Sequence, residues 1–349
     1  MKLNFKLLKQ ISEIPGAPGF EEKIRNLVIE LVKSVVDQVT IDNMGNVVAF
    51  KKGRERKKVM IAAHMDEIGF IVSYIDDKGF LRFQPLGGFD PKTLTAQRVI
   101  VHGKKDLIGV MGSKPIHIMK DEEKKKPVEL SDFFIDLGML KKEVEKYVEI
   151  GNPVTREREC IEMGDCVNGK SLDNRISVFI LIECLKLLKD KEIPFDLYAV
   201  FTVQEEVGIR GAQVATLEIQ PDFGFAIDTT IAFDVPGSMP HESVTNLGEG
   251  VAIKIMDSSA IADSRMVNYL KELATKNKIK WQPEISARGG TDTANIQRMT
   301  KSGCITGALS IPTRHIHQVI ESVNKEDILA TIQLMEKAIL GLGDYSWSY

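Results

Sequence analysis

The sequence predicts an α/β protein: a mainly parallel central sheet flanked by helices, interrupted by a small inserted β-barrel-like domain. Three observations lead there. Apolar runs of strand length alternate with helical periodicity at both ends of the chain, which implies a sheet covered on both faces. From residue 68 to residue 164 the texture changes to short apolar runs broken by Gly and Pro, the mark of a small all-β module. Acidic and imidazole side chains also recur where strands end or helices begin. The expected division is therefore 1–67 with 165–349 as one α/β domain, and 68–164 as the insertion.

Residues 4–36 carry helical spacing in two pieces, marked by Leu7, Leu8 and Ile11 and then by Ile24, Leu27, Val28 and Leu31. Pro15-Gly16-Ala17-Pro18-Gly19 breaks them apart. Strands are expected at 39–41 and 46–50, joined by the turn-forming Asp42-Asn43-Met44-Gly45, where Gly45 takes positive φ cheaply. A core strand at 58–63 runs into His64-Met65-Asp66-Glu67. Within the insertion, Phe70-Ile71-Val72, Val99-Ile100-Val101 and Leu107-Ile108-Gly109-Val110 read as strands, and the charge run 120–127 as a loop. After Gly164, Asn174 to Lys189 reads as a helix. Strands follow at 197–203, 223–227 and 305–311, with helices near Met266–Lys276 and after Lys325.

Composition narrows the function classes. A chain of 349 residues, 43% hydrophobic and 27% charged, has the make-up of a globular protein with a sizeable core. A net charge of −3 leaves no basic footprint for nucleic acid or an anionic membrane. No apolar stretch approaches membrane-span length, and the N-terminus lacks a signal peptide's apolar core. The four cysteines (Cys160, Cys166, Cys184, Cys304) match no zinc-ribbon spacing and read as reduced thiols of a cytoplasmic protein.

His64 follows a strand, Asp173 opens a helix, Glu205 and Glu206 follow strand 197–203, Asp228 ends strand 223–227, and His317 lies beyond strand 305–311. In open α/β sheets, ligands bind outside the carboxyl ends of the strands. Two imidazoles with several carboxylates suit a zinc-like divalent metal, and a shared carboxylate can bridge two ions. Each residue also has a plain alternative: a core histidine at 64, a helix N-cap at Asp173, a turn residue at Asp228, a surface position for His317, solvated strand ends at Glu205 and Glu206. Their joint recurrence favours the metal site.

His64-Met65-Asp66-Glu67-Ile68-Gly69, Leu172-Asp173-Asn174-Arg175, Gln204-Glu205-Glu206-Val207-Gly208, Ala226-Ile227-Asp228 and Gly289-Gly290-Thr291-Asp292 occur in this order. Together they resemble the glutamyl aminopeptidase and tetrahedral (TET) aminopeptidase family, co-catalytic metallopeptidases of which some carry an endoglucanase label. Gly109-Val110-Met111-Gly112 and Ile135-Asp136-Leu137-Gly138 resemble that family's inserted module. The resemblance implies a metal-dependent aminopeptidase acting on short peptides with two divalent ions, zinc or else cobalt. Asp173 would bridge them, His64 and Asp228 would complete one shell, and Glu206 and His317 the other. Glu205 would be the general base, Asp66 would orient His64, and Arg175 and Asp292 would support from the rim. The inserted module would help build a dimer, and dimers a dodecamer. The last motif departs from the family: His315 stands where it has tyrosine, and Gln318-Val319 replaces Ser/Thr-Pro, so His315 stays open as a substitute for His317. Other amide or glycoside hydrolysis and a non-catalytic peptide scaffold remain as rivals.

Overall fold

The computed structural model describes residues 2–348. Its core is an 11-stranded sheet. Four parallel strands form the centre: Phe195–Thr202, Glu55–His64, Phe223–Ile231 and Ile305–Arg314, side by side in that order. Antiparallel strands extend both flanks, so parallel pairing is a property of the middle, where the crevice forms.

The central strand Glu55–His64 begins with exposed charged residues, but its second half, from Val59 to Ala63, is a continuous apolar run. Successive side chains point to opposite faces, and both faces are covered. Val59, Ile61 and Ala63 pack into the larger core, whereas Met60 and Ala62 pack with Val200, Ala226 and Ala308 on the other side. The larger core holds the helix Leu172–Leu188, which is apolar almost all round and lies buried between the sheet and the helices Phe5–Glu13 and Lys325–Gly341.

Strands Gly69–Ile75, Leu81–Leu86, Phe134–Asp136, Asp106–Gly112, Arg98–His102 and Pro153–Arg156 close, in that order, into a barrel around Phe70, Val72, Leu81, Val99, Val101 and Ile135. The chain returns to the large sheet at Ile161–Met163. The turn at Gly45 forms as expected, with φ +100° and three backbone N–H groups donating to Asp42 Oδ1.

Several elements differ from the sequence expectation. Strand Phe223–Ile231 does not stop before Asp228, because pairing with Ile305–Arg314 carries it on to Ile231. Its pairing with the His64 strand ends at Ala226, so Asp228 sits where the sheet opens on one side only. Asp173 (φ −79°, ψ 106°) and Asn174 (φ −118°, ψ 32°) are not helical, and the regular helix starts after them. The charge run 120–127 contains a one-turn helix, Asp121–Lys124.

Arg175 is not at a rim. It is fully buried, donating to the carbonyls of Met65 (2.6 Å), Ile11 (2.8 Å) and Ile14 (2.7 Å). Beside it the buried Glu67 carboxylate accepts from Lys170 Nζ (2.6 Å) and Ser171 Oγ. This cluster locks the exit of the His64 strand to the segment that delivers Asp173. Replacing one member of a buried ion cluster strands the others without compensation. Glu67→Gln is therefore expected to lower unfolding free energy by about 3–5 kcal/mol in denaturant titration, and a loss under about 1 kcal/mol would contradict the arrangement.

Candidate metal centre

The parallel strands end on one crevice of about 270 Å³, lined by His64, Asp173, Glu205, Glu206, Asp228 and His317, with Thr230, Lys254, Glu284 and Arg288 further along. Every residue expected from the sequence as a ligand or base reaches it. Two groups form within it. His64 Nε2 lies 3.4 Å from Asp173 Oδ1 and 3.6 Å from Asp228 Oδ1. His317 Nε2 lies 3.3 Å from Asp173 Oδ2 and 3.4 Å from Glu206 Oε2. Asp173 thus offers one oxygen to each group.

Charge-assisted hydrogen bonds are shorter than these contacts, about 2.7–2.9 Å. Two atoms each about 2.0–2.1 Å from a tetrahedral zinc stand about 3.3–3.4 Å apart. The donor sets and their spacing therefore fit a divalent cation in each group. Glu206 Oε1, buried with no hydrogen-bond partner among the described residues, agrees with that fit. Glu205 belongs to neither group among the described residues, although it sits in the same crevice.

Local backbone geometry sets these aims. Gln204, with φ +54°, turns the chain after strand Phe195–Thr202 so that the two adjacent glutamates take different positions. The Asp66 carboxylate accepts both of their N–H groups, from Glu205 at 3.0 Å and Glu206 at 3.1 Å. Asp66 also holds His64, but chiefly through its backbone carbonyl, which lies 3.2 Å from Nδ1; its carboxylate is 3.5 Å away. Asn174 donates to the Ile227 carbonyl, tying the Asp173 turn to the Asp228 strand. Asp173 points its carboxylate at the two imidazoles and does not cap the helix behind it.

The segment after Ile311 is not extended where the histidines lie. His315 (φ +59°) and His317 (φ +63°) both sit in a tight turn, so they do not share a side. His317 enters the crevice, whereas His315 is exposed on the surface. His317 Nδ1 donates to the Gly88 carbonyl (3.0 Å), which leaves Nε2 toward the carboxylates. Asp292 is buried, not at the rim, and accepts from Thr202 Oγ1 at 2.6 Å.

Sequence reasoning passed over Glu321, Arg156, Gly88, Glu67 and Lys170. The buried Glu321 carboxylate accepts from the backbone N–H of Asp173 (2.9 Å) and of His317 (2.9 Å). A signal was present: an acid two residues from Val319 and from Val323, at the start of a strand whose Glu321, Ser322 and Val323 are all buried.

Burying so many carboxylates together displaces their proton affinities. Burial, reinforced by Asp173, lifts Glu206 to about 8 against the two imidazoles. Burial also raises Glu205 well above the usual carboxylate range, with Asp228, Asp292 and Glu206 adding to it against His64. Burial alone would lower both imidazoles, yet Asp173 and its neighbours win: His317 rises to about 10 and His64 well above its ordinary value. Asp173 goes the other way: burial pushes it up, but the imidazoles hold it well below the usual range.

A sheet with a parallel centre, and with imidazoles and carboxylates gathered where its central strands end, defines an α/β architecture with a candidate metal centre. Comparison with known proteins narrows it. The model of the M42 glutamyl aminopeptidase family matches residues 45–334, and the chain belongs to that family. It is similar to a putative aminopeptidase of Acetivibrio thermocellus, 41% identical over 336 residues, covering 96% of this chain and 98% of the relative. Among solved structures it is similar to the TET aminopeptidase of a Thaumarchaeota archaeon, with TM-score 0.94, 36% identity and coverage of 97% and 96%. It is also similar to the Pyrococcus horikoshii TET1 peptidase, which assembles into a tetrahedron or a large octahedral shell, with TM-score 0.87, 32% identity and coverage of 96% and 99%.

Metal uptake should be pH-linked. With Glu206 raised to about 8 and His317 to about 10, a cation taken up between them would displace protons at neutral pH, so its affinity should rise with pH, by up to about tenfold per unit for each proton released. Zinc calorimetry between pH 6 and 8, in buffers of different protonation enthalpy, should show proton release and tightening. Affinity independent of pH would contradict the assignment of these two groups as ligands.

Proposed function

We propose that this M42 aminopeptidase removes N-terminal residues from short peptides at a centre of two divalent ions. The supporting observation is Asp173, whose two oxygens face separate imidazole–carboxylate groups. Asp173 would be shared between the two ions, with His64 and Asp228 holding one and Glu206 and His317 the other. Nitrogen and oxygen donors in these numbers suit zinc, with cobalt as the alternative. Bound there, the ions supply a Lewis acid and lower the pKa of water toward neutrality.

The remaining chemistry belongs to the chain. Glu205 takes the proton of the attacking water at its carboxylate and returns it to the departing amine nitrogen. Asp66 fixes the backbone of both glutamates and, through its carbonyl, the His64 ring. Beyond Asp228, the part of the crevice lined by Thr230, Ile231, Lys254, Glu284 and Arg288 receives the first side chain of the peptide.

Residues 1–67 and 165–349 act as the catalytic domain and 68–164 as a dimerisation module, with dimers assembling further as the TET-type similarity suggests. Four free cysteines suit the cytoplasm as the working compartment. No helix among the described residues is long and apolar enough to cross a membrane.

Glu205→Gln is expected to lower kcat by about 10²–10⁴-fold while metal content stays at wild-type level. Chelation should abolish activity, and N-blocked peptides should resist cleavage. Activity that survives both chelation and Glu205→Gln would exclude this mechanism, because a two-carboxylate glycosidase-type site needs no metal.

A further inference from the structure

His317 reaches the centre from a turn in which it and His315 take left-handed backbone angles and one backbone bond, from Gln318 N–H to the His315 carbonyl, closes the turn. Three groups hold it from outside. Glu321 accepts its N–H, Gly88 accepts from Nδ1, and Arg156 Nη1 donates to its carbonyl at 2.8 Å. Two of the three come from beyond the large sheet. Gly88 follows barrel strand Leu81–Leu86, and Arg156 ends barrel strand Pro153–Arg156, where it pairs with Val99.

Arg156 is built into this position. It is 3% exposed, and its guanidinium carbon lies 5.6 Å over the Phe89 ring, in the loop that carries Gly88. Its Nε is buried with no hydrogen-bond partner among the described residues. Its charge also offsets that of the fully buried Glu321, which holds both His317 and Asp173. Among the described residues no barrel side chain hydrogen-bonds the opposite group: His64 is held by Asp66, and Asp228 lies within a central strand.

We propose that Arg156, reaching from the barrel, is the positioning residue for the His317 turn, so that the seating of the barrel on the sheet sets metal affinity at the Glu206–His317 position and not at the His64–Asp228 position. This rests on the two-ion reading of the crevice. Arg156 touches neither ion nor peptide. It acts on the carbonyl of His317, which fixes the turn and so aims Nε2. Groups that orient a metal-binding imidazole typically change affinity 10–100-fold when removed. The effect here should be selective for one of two ions.

The test is zinc titration of the full-length protein by calorimetry with a competing chelator, on wild type, Arg156→Met, Arg156→Lys, His317→Ala and the double variant Arg156→Met/His317→Ala. Wild type should bind two ions. Arg156→Met should weaken one of them by about 10–100-fold and leave the other within about threefold. Arg156→Lys, which keeps the charge without the fork, should recover part of that loss. Adding Arg156→Met to His317→Ala should change zinc binding no further, because both act on one position. Equal weakening of both ions, no weakening, or full additivity in the double variant would overturn the proposal. Fewer than two ions in wild type would instead overturn the two-ion reading beneath it. Thermal melts of the same samples separate a general loss of folding, which would weaken both ions together, from the selective effect.

Discussion

The structure turns on one buried carboxylate placed between two imidazoles. Asp173 is held by its backbone N–H on Glu321 and through Asn174 on the neighbouring strand, so its two oxygens have fixed and opposite aims. Around it stand Asp66, Glu205, Glu206, Asp228, Asp292 and Glu321, all with little or no exposure. Buried charge of one sign is costly without compensation. The imidazoles offset part of it, and the proton affinities of Glu205, Glu206, Asp292 and Glu321 rise in response. Two divalent cations would relieve the same excess more completely.

That concentration of charge needs a rigid frame. Behind the crevice, Glu67, Lys170 and Arg175 form a compensated cluster that joins the residues just after His64 to those just before Asp173. In front of it, the barrel supplies Gly88 and Arg156 to the His317 turn. One position of the centre is thus framed by the sheet alone, and the other by sheet and barrel together. The insertion is part of the site's support as well as a separate β unit.

Much of this was legible in the sequence because strand ends are where apolar patterning stops and function begins. The runs before His64, Glu205 and Asp228 announced central strands, and the change of texture after residue 67 announced the barrel. What was not legible depended on backbone turns and long-range pairing. Nothing in Leu172-Asp173-Asn174 reveals that the first residues of the segment are non-helical, so an N-cap fitted Asp173 equally well. The resemblance placed Arg175 as a supporting group at the rim; here three backbone carbonyls and Glu67 keep it inside. His315 and His317 could be separated only once their turn was known, since in an extended segment both face one way. Arg156 lies 161 residues from its partner His317, a separation that local patterning does not bridge.

The most direct test is anomalous X-ray diffraction at the zinc edge from crystals grown with zinc. Two peaks are expected, one on each side of the Asp173 carboxylate and about 3.5–4 Å apart, with His64 and Asp228 around one and Glu206 and His317 around the other. A single peak, or zinc bound away from Asp173, would contradict a carboxylate-bridged centre.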